Sequence, residues 1–452
     1  MKTILLCPAT LLAFILFTIP AFGQDFELRL KNLEEALKLQ ADIIKEQQKT
    51  ITTLKEELQH QKSEAVAAVE EPLSASQEPS LASRVSGFFG GSVLTNPNIS
   101  LILDSFGYVS NRNNSELENR GIPGYTTKGL EQRNGANLRA AELFLFAPVD
   151  PYFNLYASLP ITEDGIELEE AYAVTTALPA GFQLKGGKFK SNFSRLDAQH
   201  PHAWDFADIA LPYRAFFGDE GLGGEKGVQL TYLPPLPFYA LFGVEALQGE
   251  NDLLFGGDAR TGIHAFTFYE KNSFETGEDS TLLFGPYVLF GKTKNINIVP
   301  EAEFNGHSTL LGMETVWKWK PSVTRSLTLQ GEYLYLIQNG DLTDYAAATV
   351  ESLQRRQDGF YLQGIYQWNR WRFGARYDML SLFSDSFKTA GFQQDLGATP
   401  WRATASLEFN PSEFSRIRLQ YTHDRSARDG RDNNEWWLQF IFGIGAHAAH
   451  SF

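Results

Sequence analysis

Between Arg370 and Tyr377 the chain alternates without exception between two kinds of side chain. Arginine or glycine occupies each even position, and tryptophan, phenylalanine, alanine or tyrosine occupies each odd position. A period of two is the period of a β-strand, in which neighbouring side chains point to opposite faces. One face of this strand is therefore apolar and the other is charged, so the strand belongs to a sheet that separates an apolar medium from water.

The same alternation recurs at 401–409, at 416–422 and, on even positions, from Trp436 to the terminal Phe452. An arginine that faces lipid costs about 2–4 kcal/mol at the middle of a bilayer, so the arginine faces must meet water and the aromatic faces lipid. Unpaired strand edges are not tolerated in hydrocarbon, which requires such a sheet to close into a barrel.

Sixteen segments have a strand pattern, and each is close to the roughly 9–11 residues that a tilted strand needs to cross a bilayer. They are 97–109, 137–147, 152–160, 168–178, 181–190, 226–233, 237–247, 261–270, 281–292, 308–319, 325–337, 358–368, 370–380, 400–409, 414–424 and 435–445. We therefore predict an all-β fold, a 16-stranded antiparallel transmembrane β-barrel over residues 97–452, and keep fourteen and eighteen strands as alternatives.

The connections between these segments alternate in length. Long ones are expected at 111–136, 191–225, 248–260, 293–307, 338–357, 381–399 and 425–434, and short reversals at 149–151, 178–180, 234–236 and Asn369. Long outer loops with short periplasmic turns are typical of bacterial membrane barrels.

The segment before the barrel divides into three parts. Residues 1–23 have the charged start, short apolar core and small-residue cleavage pattern of a signal peptide. Residues 24–62 carry heptads from Phe26 to Gln61 and predict a periplasmic α-helical coiled coil, with a single amphipathic helix as the alternative. Residues 63–96 predict a linker. The one cysteine, Cys7, lies in the signal peptide, which suits an oxidising compartment.

Composition excludes several classes of function. A formal net charge of −15 argues against binding to nucleic acid, whose phosphates would be repelled. No nucleophile, histidine and acid stand in a pattern typical of a hydrolase, so we predict no enzyme and no cofactor.

Inward faces of five strands supply the predicted pore lining: Arg370, Arg372, Arg376, Arg402, Arg416, Arg418, Gln330, Glu332, Gln363 and Glu408. One interpretation pairs the arginines with Glu332, Glu408 and loop carboxylates as a brace for the barrel. The other leaves some arginines facing water, where they would favour anions.

Residues 191–225 form the longest predicted loop and the candidate constriction. Its carboxylates, Asp197, Asp205, Asp208, Asp219 and Glu220, are expected to face the arginines across the lumen. The same loop contains His200 and His202, which with Asp205 form a candidate metal site because imidazole and carboxylate groups bind zinc or iron.

Four segments carry a family resemblance: 96–100, 186–189, 200–202 and 217–222. Together they resemble bacterial outer-membrane porin-like proteins that have a short periplasmic coiled coil and are related in pattern to phosphate-selective porins. Some such proteins are labelled zinc-regulated or TonB-dependent receptors. The resemblance implies solute uptake in the outer membrane. The TonB label fits poorly, because those receptors have a large plug domain and a 22-stranded barrel.

Three hypotheses follow. The first is a passive outer-membrane channel for small hydrophilic solutes, among which anions are one option. The second is a plug-less receptor for a metal or a metal chelate such as a siderophore. The third is a tether that binds the cell wall through the coiled coil. The expected partners are outer-membrane lipid, small solutes or ions, and further copies of the chain, with a trimer as one option.

Overall fold

The computed structural model describes residues 97–129 and 132–445. The predicted signal peptide, coiled coil and linker, and the chain end after Gly445, lie outside the described residues. Among the helices of the described part, none is long and apolar enough to cross a membrane.

Sixteen strands make up most of the described chain. They are β1 (Asn98–Ser110), β2 (Gly135–Asp150), β3 (Phe153–Ile161), β4 (Glu170–Thr175), β5 (Phe182–Lys190), β6 (Gly224–Tyr232), β7 (Tyr239–Leu247), β8 (Ala265–Gly277), β9 (Ser280–Val299), β10 (Ala302–Ser322), β11 (Arg325–Asp344), β12 (Thr349–Trp368), β13 (Trp371–Thr389), β14 (Trp401–Ser412), β15 (Ser415–Asp424) and β16 (Asn433–Gly445). A two-residue strand, Phe392–Gln393, pairs with the end of β13.

Short helices occur only between these strands in the described part. They are α1 (Asn114–Glu118), α2 (Leu211–Phe216) and two 3₁₀ turns, Pro179–Gly181 and Pro201–Ala203. Asn113 caps α1, because its side chain accepts a hydrogen bond from the backbone of Glu116.

The sheet closes on itself. Each strand is antiparallel to the next, and β1 pairs with β16, where Ser100 lies opposite Gly445 and Ser110 opposite Glu435. Closure leaves no long unpaired edge, so the backbone groups of the strands are satisfied without water. The prediction of a 16-stranded antiparallel barrel is confirmed.

Burial follows the predicted alternation. Phe373 and Leu419 are 45% and 44% exposed on the outer face, whereas Arg418 and Gln420 are fully buried on the inner face. Large apolar side chains are exposed in this way around the whole outer surface. An apolar belt of this extent is not found on monomeric proteins in water.

Strands β9 to β13 are longer than predicted, at 19–21 residues each. The loops predicted at 293–307 and 338–357 are wrong over most of their length, and that at 381–399 over its first half. Their residues extend β9 to β13 as paired hairpins. About 20 residues span roughly 65 Å, well beyond a hydrocarbon core of about 30 Å. The part of a strand that lies in water needs no apolar face. The alternation of apolar and polar residues therefore ends where the strand leaves the membrane, although its hydrogen bonding to the neighbouring strands continues.

The longest remaining connections, 111–134, 191–223 and 248–264, lie at one end of the barrel, which we call the loop end. The opposite end, which we call the turn end, has short reversals such as 369–370 between β12 and β13. The connection 191–223 turns into the barrel and is described next as the inner loop.

Candidate functional site

The inner loop, residues 191–223, lies in the barrel lumen. All six residues of its helix α2 are buried. The Ser191 hydroxyl donates to Glu245 on β7, and the Arg195 backbone N–H donates to Glu314 on β10 over 2.7 Å. On the far side of the barrel, the Leu211 N–H donates to Asp378 on β13. The loop is therefore held by strands all around the lumen.

Arginines of β13 and β14 hold the middle of this loop. Asp205 accepts a charge-assisted hydrogen bond of 2.5 Å from Arg372, the second residue of β13. Asp208 contacts Arg376 at 3.0 Å and also pairs with Arg402. Because Arg372 stands at the start of β13, the loop reaches the turn end of the barrel.

Electrostatics keep Asp205 ionised. Burial raises the pKa of Asp205, but the positive charges of Arg372 and Arg195 outweigh burial and hold the pKa below its ordinary value.

Glu408 on β14 contacts three arginines. Arg372 and Arg418 donate to its two oxygens over 2.9 and 2.7 Å, and Arg416 lies 3.4 Å away. Five of the six predicted arginines thus contact a carboxylate directly. The sixth, Arg370, is exposed in the β12–β13 turn rather than on a strand.

The loop histidines contact a different part of the wall. His200 Nδ1 lies 3.1 Å from Glu142 on β2 and 3.0 Å from Glu169, while Nε2 lies 2.8 Å from Glu170, the first residue of β4. His202 Nδ1 lies 2.8 Å from the second Glu142 oxygen.

This environment changes the acidity of both kinds of group. Burial lowers the pKa of His200, but Glu169, Glu170 and Glu142 outweigh it and hold the pKa well above its ordinary value. Burial raises the pKa of Glu169, but His200 and Lys190 outweigh it and hold the pKa below its ordinary range.

Within residues 200–208, the two imidazoles therefore contact acidic side chains of β2 and β4. The two aspartates contact basic side chains of β13 and β14. The expectation that Asp205 and Asp208 face the arginines across a gap is wrong, because these groups are in direct contact. Asp205 is also bound by Arg372 and Gln363 rather than grouped with the histidines.

The other three loop carboxylates have separate positions. Asp197 is 1% exposed and accepts the Leu222 N–H over 2.7 Å, and burial raises its pKa to about 7 despite the nearby Lys190. Asp219 pairs with Arg214 of α2 at 3.1 Å. Glu220 accepts from Lys190 through its backbone carbonyl at 3.4 Å.

Glu332 has tyrosine rather than arginine partners. The hydroxyls of Tyr213, Tyr287 and Tyr361 donate to its carboxylate over 2.8, 2.5 and 3.0 Å. The suggested pairing of Glu332 with the arginines is therefore wrong. No sequence pattern indicated Tyr213, because its contact depends on how the loop folds.

Gln330 and Gln363 lie beside this cluster on β11 and β12. Gln330 donates to the Tyr361 hydroxyl over 2.8 Å, and Gln363 donates to Asp205 over 3.2 Å. Both glutamines are buried.

Apolar side chains of the inner loop form a core inside the barrel. Trp204, Phe216 and Phe217 are at most 3% exposed and belong to a buried cluster with Leu334 and Leu336 of β11. The two other long loops add Ile122, Tyr125, Leu254 and Phe255. The lumen therefore contains an apolar core in addition to the predicted polar and charged lining, and the alternation of the strands cannot reveal a loop that packs inside them.

A cavity of about 530 Å³ lies at the turn end. Its charged lining consists of Arg195, Arg370, Arg372, Arg416, Asp205, Glu408 and Glu413. Arginines outnumber carboxylates there by one.

Comparison with known proteins gives a relative and a fold. An uncharacterized protein of Aquifex aeolicus (strain VF5) is 40% identical over 382 residues, which cover 79% of this chain and 80% of that protein. No family model matches the chain. The outer membrane channel DcaP of Acinetobacter baumannii has a TM-score of 0.51 and 13% identity, over 77% of this chain and 97% of DcaP.

An anion-selective porin from Comamonas acidovorans has a TM-score of 0.46 and 11% identity, over 77% of this chain and 100% of that porin. The likeness to DcaP shows a shared barrel fold.

Proposed function

We propose that this chain, which belongs to the same family as the Aquifex aeolicus protein, is an outer-membrane channel for passive diffusion of small hydrophilic solutes. One observation carries the proposal. The strands close into a barrel whose outer face is apolar and exposed, and whose lumen contains charged groups and an inward-folded loop. This arrangement is suited to a lipid exterior and an aqueous passage.

The proposed location is the outer membrane, with the N-terminal segment in the periplasm. The barrel architecture and the signal-peptide pattern of residues 1–23 support it. The turn end would then face the periplasm, because β1 begins there immediately after the linker.

The inner loop would set the size limit. A barrel of sixteen strands without an internal loop leaves an open aqueous channel. Here α2 and the loop aromatics occupy much of the lumen, so we expect passage of small solutes and a low conductance.

The paired charges would limit selectivity. Most lumen arginines are neutralised by carboxylates in contact, so they attract anions less than a ladder of unpaired arginines would. Arg370 is exposed at the turn-end cavity, where arginines are in excess by one. We therefore propose a modest anion preference that depends on Arg370.

Charge reversal at this position tests the proposal. In planar bilayers under a KCl gradient, Arg370→Glu should move the reversal potential towards cations. The control is Arg325→Glu, at the same end of the barrel but, by strand alternation with Leu327 and Leu329, on the outer face. A reversal potential that is unchanged by Arg370→Glu, or changed equally by both variants, would refute a selectivity role for the cavity.

A further inference from the structure

We propose that Glu142, Glu169 and His200 bind a divalent transition-metal ion that fastens the inner loop to the barrel wall. Glu170 and His202 orient these ligands. The proposal goes beyond the channel function and does not depend on it.

The five residues come from three parts of the chain and meet inside the barrel. Glu142 lies on β2, Glu169 and Glu170 lie where β4 begins, and the histidines flank Pro201 in the inner loop. Glu142, His200 and His202 are only 6%, 5% and 8% exposed. The site is thus shielded from bulk water. An unbalanced charge in such a buried position is costly.

Two of the three distances between ligand atoms fit a shared ion. His200 Nδ1 lies 3.1 Å from Glu142 Oε1 and 3.0 Å from Glu169 Oε2. Two atoms that each bind zinc at about 2.0–2.2 Å are roughly 3.0–3.4 Å apart at tetrahedral or octahedral angles. One ligand atom from each of the three residues lies within 4.8 Å of the others.

The partner of the other ring nitrogen fixes the imidazole for metal binding. His200 Nε2 lies 2.8 Å from Glu170, so it carries the hydrogen that this carboxylate accepts. In the neutral ring Nδ1 then has a lone pair, and that lone pair faces two carboxylate oxygens. A divalent ion bound by Nδ1 and these two oxygens would take the place of the proton that otherwise lies between them. A carboxylate behind the distal ring nitrogen is the usual arrangement at histidine-ligated metals.

Charge balance points the same way. Three carboxylates surround His200, and the Lys190 ammonium lies 3.6 Å from the second Glu169 oxygen. A divalent ion together with Lys190 would supply three positive charges beside these three carboxylates.

Donor type selects the metal. One imidazole nitrogen and two carboxylates are suited to Zn²⁺ and its first-row neighbours, whereas Mg²⁺ and Ca²⁺ prefer oxygen ligands alone. Asp205, which the sequence places near the histidines, is not a ligand because Arg372 binds it at 2.5 Å.

Metal binding by the purified full-length protein tests the inference. The protein, without a histidine tag and in detergent, is stripped with a chelator and titrated with Co²⁺ and Zn²⁺. We expect about one ion per chain, a visible Co²⁺ absorption typical of mixed nitrogen and oxygen ligands, and at least a tenfold loss of affinity in His200→Gln and Glu169→Gln.

One control variant should bind like the wild type: His307→Ala, at an exposed histidine of β10. Circular dichroism checks that each variant keeps its sheet. If His200→Gln does not fold, Glu169→Gln outside the strands decides the question. Binding of no ion by the wild type, or equal binding by the ligand variants, overturns the site. Because the titration needs no transport, its failure leaves the channel proposal intact.

Discussion

Charged residues in the lumen contact one another in small groups. Glu408 binds Arg372 and Arg418 and lies near Arg416, so removing Glu408 would leave the charge of these three arginines without this carboxylate partner. Five of the six arginines therefore fit the interpretation in which arginines pair with carboxylates and brace the barrel. Sequence alone could not decide this, because two of the partner carboxylates come from a loop more than 160 residues away from β13.

Asp197 gives a pH-dependent prediction. Its pKa is raised to about 7 in the folded state, above the ordinary value of 3.8. Between about pH 4 and 7 the folded protein holds a proton that the unfolded chain releases, so the free energy of unfolding falls as pH rises, by at most about 1.4 kcal/mol per pH unit, and levels off above 7.

Asp197→Asn removes this titration and keeps an acceptor for the Leu222 N–H. In urea unfolding in lipid vesicles, the wild type should lose stability relative to the variant from pH 4 to pH 7. The variant itself corrects for all other titrating groups. A difference between the two proteins that stays constant with pH would contradict the buried, protonated carboxyl.

At the scale of elements, the inner loop depends on its contacts with β13 and β14. Asp208→Asn weakens the pairing with Arg376 and Arg402, and breaking a buried ion pair costs about 3–5 kcal/mol. We expect faster amide hydrogen exchange in residues 205–216 and a larger single-channel conductance. The control is Asp252→Asn, at an exposed aspartate of another long loop. Exchange and conductance equal to those of the control would show that this contact does not hold the loop.

The elements differ in how far they could be predicted from sequence. All sixteen strands were predictable, because aromatic and arginine residues alternate where strands such as β13 cross between lipid and lumen. The extensions of β9 to β13 were not, since polar residues such as those after Thr293 in β9 lie on both faces. The path of the inner loop was only partly predictable. Its length suggested an inward fold, but the contacts of His200 with β2 and β4 depend on tertiary packing.

At the scale of the whole molecule, one closed hydrogen-bonded sheet separates two environments. The wall is uneven, because β4 has 6 residues whereas β10 has 21, so one side extends further at the loop end. The inner loop joins opposite sides of this wall through ion pairs and an apolar core. A homo-oligomer, with the predicted coiled coil of residues 24–62 as its link, stays a prediction.

Single-channel recording tests the central claim most directly. Purified protein added to a planar lipid bilayer in 1 M KCl should give discrete, steady current steps, smaller than those of a variant whose inner loop residues 198–209 are replaced by a short glycine-serine linker. A wild type that inserts into the bilayer but passes no steady current, as a closed receptor or a cell-wall tether would, contradicts the account.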